Sequence, residues 1–186
     1  MNTTILLIAI IIIIILIVAA IISIYNKMVA NKNRMQEAWS GIDVFMKKRY
    51  DLIPNLVETV KGYASHEKST FQEITASRSA AINAKGTHDK IESEMKLDKA
   101  LVNLFAVAEN YPELKANDNF KQLQSELSNL ETDIERSRRY YNGTVRENNI
   151  YIESFPNNLL AGSFNFQKGE YFNIAEAERS VPKVSF

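Results

Sequence analysis

Between Ile5 and Ile24 the chain reads ILLIAIIIIIILIVAAIISI, with no charge, no proline and no glycine. At about 1.5 Å of rise per residue, about 20 helical residues cross the roughly 30 Å hydrocarbon core of a bilayer. Sixteen of these residues are Ile, Leu or Val. At about −0.3 to −0.6 kcal/mol each, they favour insertion by roughly 5 to 10 kcal/mol. The segment therefore predicts a transmembrane helix over residues 5–25, from Ile5 through Ile15 to Ile24, behind a short tail of residues 1–4. Tyr25 falls where an interfacial aromatic belt is expected.

A cleaved signal peptide would carry a basic start, a shorter apolar run and a small-residue cleavage pattern, and none of these is present. The expectation is an uncleaved signal anchor. The chain has no cysteine, which removes a thiol-linked lipid anchor and agrees with a reducing compartment. Lys27, Lys32 and Arg34 follow the segment, whereas Met-Asn-Thr-Thr before it has no charged side chain. Basic residues beside a span resist translocation, so the N-terminus is expected outside and the C-terminal domain in the cytoplasm. The opposite topology is the alternative. The expected first partner is the lipid bilayer itself, with the three basic residues at its headgroups.

About 160 residues remain, enough for one domain with its own core. Their 22 basic and 22 acidic side chains, counted over the whole chain, cancel, so no basic face advertises nucleic acid. Six glycines and four prolines, unclustered, argue for helices. Met28, Met35, Ala38, Trp39, Ile42, Phe45 and Met46 recur at helical spacing, so the anchor is expected to run on into the domain. Lys47, Lys48 and Arg49 read as solvated charges at its end. A second helix is predicted to open near Asp51 and Pro54 and to run to about Ala84, with Lys85, Gly86 and Thr87 as the break. A third spans roughly Asp89 to Asn110, with Ile91, Met95, Leu101, Leu104, Phe105 and Ala108 inward.

The cleanest pattern runs through Phe120, Leu123, Leu127, Leu130, Ile134, Ser137, Tyr141, Val145, Asn148 and Ile152, close to a coiled-coil heptad. Asn117 or Asp118 caps its start. Long helices with short connections predict an all-α fold, an antiparallel up-and-down four-helix bundle over residues 26–154. From Phe155 the composition changes to FPNNLLAGSFNFQKGEYF and beyond, rich in aromatics and broken by Pro156, Gly162 and Gly169. Residues 155–186 are expected to form an extended strap on the bundle, with a short helix near Ala175. The rings of Phe164, Phe166, Tyr171 and Phe172, with Arg138 and Tyr140, form the candidate interaction surface.

Catalytic motifs fail. His66-Glu67 begins H-E-x-x-H, but position 70 is Thr, so the second metal ligand is missing. G-x-S-x-G, the P-loop and G-x-G-x-x-G are absent. The expectation is no enzyme activity, no cofactor, no metal and no small-molecule substrate. Asp51 and Glu67 are the carboxylates on which an unrecognised hydrolase would rest.

The stretches AWSGIDVFMKKRYDLIPNLVETVKGYASHE, YPELKANDNFKQLQSEL and RRYYNGTVRENNIYIESFPNNLLAGSFNF resemble the LemA family of bacterial membrane proteins. With the anchor and tail, the resemblance covers essentially the whole chain. It implies a single N-terminal span in the bacterial inner membrane, a bundle of four long antiparallel helices and no established catalysis. Scaffolding of a membrane assembly follows by analogy only, with unknown protein partners or a second copy of the chain. The family supplies no catalytic or binding residues to carry over.

Overall fold

Neither proline nor glycine occurs before Gly41, so nothing interrupts a helix begun in the apolar segment. The computed structural model describes residues 2–172, and every regular element among them is a helix. The elements are α1 (Asn2–Lys61), α2 (Lys68–Asn83), α3 (Gly86–Ala108), α4 (Pro112–Ala116), α5 (Asp118–Glu153) and α6 (Asn157–Ser163). The short helix expected near Ala175 and the closing residues through Phe186 lie outside the described residues.

The predicted break near Asp51 is not there. α1 runs through Lys47–Asp51 and Pro54 to Lys61, and the chain turns instead at Gly62–Glu67. A proline inside a helix leaves the carbonyl four residues back without its donor. That carbonyl belongs to Tyr50, and Arg78 of α2 donates its Nε–H to it at 2.7 Å. The gap opened by Pro54 is thus closed by a side chain distant in sequence. The true stop follows Lys61, where the amides of Gly62, Tyr63 and Ala64 bond back to Glu58 and Val60.

By its contacts the chain divides into two units, one made of residues up to Trp39 together with Tyr140–Tyr171, the other of Ser40–Arg139 with Phe172. In the first unit, residues of α1 before Trp39 run antiparallel to the end of α5. The rings of Trp39 and Tyr141 meet at 5.2 Å, Arg34 pairs with Glu147 at 3.3 Å, and Met28 shares a buried cluster with Ile152 and Ala161. The apolar residues from Ile5 to Val18 have no such cover and are exposed.

In the second unit α2 packs along α3. Ile42, Met46, Ile53, Leu56 and Val60 of α1 are buried, as are Phe71 and Ile74 of α2, Leu97, Leu101 and Leu104 of α3, and Phe120, Leu127 and Ile134 of α5. Asn117 Oδ1 accepts the Phe120 amide at 3.0 Å, the expected cap. α3 departs from its predicted face at one step: Met95 is exposed and Glu94 is buried in its stead. The C-terminal segment also differs from expectation, since residues 157–163 form α6 before the chain becomes extended.

Candidate functional site

The buried charges of the second unit gather around Arg49, which is 0% exposed. Its position follows from spacing. Ile42, Met46, Arg49, Ile53, Leu56 and Val60 step four and three along α1, so Arg49 occupies a core position. Its Nη2 donates to Glu94 of α3, itself 0% exposed, and its Nη1 reaches Asp98 at 2.5 Å and Glu131 of α5 at 2.6 Å. The Tyr50 hydroxyl donates to the other Glu94 oxygen. Arg138 completes the group, 3.5 Å from Asp98 and 3.9 Å from Glu94, with its guanidinium 4.3 Å from the centre of the Phe172 ring. Arg49 Nε and Arg138 Nε find no acceptor among the described residues.

Burial by itself would lower the Arg49 pKa, yet Glu94, Asp98 and Glu131 outweigh it and hold the guanidinium above its ordinary value. Burial raises the Tyr50 phenol, and the Glu94 charge and hydrogen bond raise it further. Arg49 is therefore a fixed cation, spent on carboxylates from two other helices. The reading of Lys47, Lys48 and Arg49 as solvated charges holds for the two exposed lysines and fails for Arg49. Such a cluster ties α1, α3 and α5 into one register.

The first unit is held differently. Asn149 donates to the Gly169 carbonyl at 3.0 Å and accepts the Gly169 amide at 2.8 Å, fixing the returning chain against α5. A Cβ at position 169 would meet the Met35 thioether, so a larger residue there requires that flexible side chain to shift. The Tyr141 hydroxyl donates to the Glu170 carbonyl at 2.9 Å, and burial, with the Glu170 charge, pushes its pKa up to about 12. The Tyr25 ring stacks edge-on against Phe164 at 5.0 Å and Phe166 at 5.7 Å.

The six residues of the expected interaction surface are thus distributed. Phe172 is 2% exposed and Arg138 is largely covered, so these two serve internal packing. Phe164 and Phe166 meet Tyr25, and Tyr140 and Tyr171 are exposed. Of the flanking basic residues, Lys27, Lys32 and Arg34 are exposed. Asp51 is exposed, while Glu67 accepts from the Tyr111 hydroxyl at 3.5 Å, and neither joins the Arg49 cluster. The residues missed from sequence were Arg49, Tyr50, Glu94, Asp98 and Glu131, and the signal that would have found Arg49 and Glu94 is a charge standing at an apolar period.

Among the described residues one helix is long and apolar enough to cross a membrane, and its apolar window has none of its surface buried in the protein. A soluble core helix would be covered. These features define an all-helical protein whose N-terminal helix fits a single-pass membrane protein.

The family model described as LemA family matches residues 38–186, and the chain belongs to that family. It is 28% identical over 155 residues to Protein LemA of Metamycoplasma hominis, covering 83% of this chain and 71% of that protein. It is 27% identical over 174 residues to Magnetosome protein MamQ 2 of Paramagnetospirillum magneticum, covering 80% of this chain and 64% of that protein. Magnetosome protein MamQ of Magnetospirillum gryphiswaldense is 26% identical over 175 residues, with the same coverage. The chain therefore spans under two thirds of the length of the MamQ relatives.

Proposed function

We propose that this protein is a membrane-anchored, non-catalytic scaffold or interaction module of a bacterial membrane assembly. The observation that carries the reading is the pairing of an uncovered apolar segment at the start of α1 with a helical core whose buried charges are neutralised by one another. LemA and MamQ are not names of enzyme families, which supports the absence of catalysis. In this reading residues 5–25 are an uncleaved signal anchor, and the portions of α1, α2, α3 and α5 within residues 26–154 form an up-and-down four-helix bundle. Residues 155–172 strap it, and Tyr140 and Tyr171 are left for a partner. The N-terminus lies outside the inner membrane and the domain in the cytoplasm, set by Lys27, Lys32 and Arg34.

Crosslinking in native membranes tests the scaffold. Recovery of crosslinked protein partners or of a dimer is expected, and uncrosslinked monomer alone would count against it. A C-terminal reporter active only in the cytoplasm tests the orientation, and a silent but well-expressed fusion would reverse it. A hydrolase built on Asp51 and Glu67 needs two carboxylates converging in a cleft. No observation of Asp51, exposed as it is, favours that alternative.

A further inference from the structure

Residues 154–167, SFPNNLLAGSFNFQ, carry no charge, and no charge-free stretch after Asn26 is as long. Glu153 and Lys168 bracket them and pair with each other, closing the neck of the loop. Within it α6 buries Asn157 and Ala161, but large apolar side chains in and beside this helix face outward: Phe155 is 81% exposed, Leu159 64% and Phe164 48%. Apolar side chains of this size so close in sequence, with no charge among them, are costly to leave in water.

The fold places this loop at one level along α1. Following α5 forward, its contacts step back along α1 from Trp39 at Tyr141, through Arg34 at Glu147, to Met28 at Ile152. The loop comes next. Ile24, Leu160 and Phe166 pack on the cluster that holds Met28, and Tyr25 meets Phe164 and Phe166. If Ile5–Ile24 fills the hydrocarbon, then Met28 lies only about 6 Å beyond its edge at 1.5 Å per residue, inside the headgroup zone. The exposed apolar face of the loop is therefore continuous with the apolar surface of the span.

We propose that residues 154–167 are a second membrane contact, with Phe155, Leu159 and Phe164 seated in the interfacial zone of the bilayer beside the point where α1 leaves it. The occupant of the exposed face is lipid. The charged neck stays on the water side, as interfacial elements require, while the neutral tip carries aromatic and aliphatic side chains suited to the acyl–headgroup boundary. The contact is independent of which side of the membrane holds the domain. It rests on the reading that the apolar helix spans.

The absence of cysteine makes single labels unambiguous. Full-length Leu159→Cys, Phe155→Cys, Ile15→Cys and Ser125→Cys, each carrying an environment-sensitive fluorophore, are reconstituted into phosphatidylcholine–phosphatidylglycerol vesicles with nitroxides at shallow or deep positions on the lipid. All four positions are exposed, so the core is untouched, and unchanged circular dichroism checks the fold. The expected result is blue-shifted emission at 155 and 159, quenched about twofold or more by the shallow nitroxide, as an interfacial depth requires. Position 15 should be quenched by the deep nitroxide and position 125 by neither. Quenching at 15 with water-like emission at 155 and 159 overturns the loop contact and leaves the span intact. Loss of quenching at 15 overturns the span as well. Blue-shifted emission at 159 without lipid quenching means that protein, not lipid, covers the loop, and also overturns the proposal.

Discussion

Helix α1 is buried in two ways, and the two units differ in what they will tolerate inside. Among the described residues, the buried polar side chains of the first unit are Asn31, Thr144, Asn148, Asn149 and Asn157, all uncharged. Those of the second are Arg49, Ser93 and Glu94. An amide needs only its hydrogen bonds satisfied, at about 1 to 3 kcal/mol if they are missing, whereas an ion loses several kcal/mol of solvation whatever its partners. Both devices fix the register of helices, but the ionic one does so by making every wrong register leave a charge alone.

The largest expected effect breaks the ionic side. Arg49→Met takes from buried Glu94 its hydrogen-bonded cation, leaving only Arg138 at 3.9 Å, and should lower stability by about 3 to 5 kcal/mol in urea unfolding of the detergent-solubilised protein. Replacing Arg49, Tyr50 and Glu94 together by Met, Phe and Leu should recover most of that loss, since an apolar substitute of similar volume is often neutral. If Arg49→Met unfolds with the wild type, the cluster is decoration.

A second test addresses the neutral side. Asn149→Ala removes both bonds to Gly169 and should cost about 1 to 3 kcal/mol, with faster amide exchange at Gly169. Asn149→Asp keeps an acceptor but brings a charge into the amide core, and it should be at least as damaging. A milder effect there would dissolve the contrast between the units.

Alkaline titration compares the units directly, because each holds one buried tyrosine with a raised pKa. A raised pKa in the fold means the unfolded chain ionises first. The stabilisation is whole below about pH 10 and is lost as pH climbs, by about 1.4 kcal/mol per pH unit and group. For Tyr141 the window runs from 10.0 to about 12. Tyr50→Phe should flatten the fall above pH 10, and an unchanged slope would mean that Tyr50 is not held as described. The smallest effect belongs to the exposed Arg34–Glu147 pair, where Arg34→Gln should change stability by less than about 1 kcal/mol.

Where local chemistry decided the structure, the sequence was readable. The apolar segment announced itself by composition, and α5 by a period that put Phe120, Leu127, Ile134, Tyr141, Val145 and Ile152 inside. The break between α1 and α2 was misplaced because Pro54 is locally a helix breaker, and the donor that rescues it, on Arg78, is invisible to any short window. That error hid the cluster. Once α1 was ended at Asp51, Arg49 became a turn charge, and Glu94 yielded its inward position to Met95. The candidate surface failed to gather for a related reason: ring count in the C-terminal segment says nothing of which rings face inward, and Arg138 and Phe172 turned to each other.

The bond from Arg78 to the Tyr50 carbonyl also has a consequence for the order in which the chain is made. Pro54 is made before Arg78, and until α2 has been made and folds back only water can serve that carbonyl. A helix that is continuous in the finished protein is thus weakest at Tyr50–Pro54 during synthesis. There α1 acquires its last backbone partner only when α2 folds back, so the newborn chain carries a hinge that the mature one has lost.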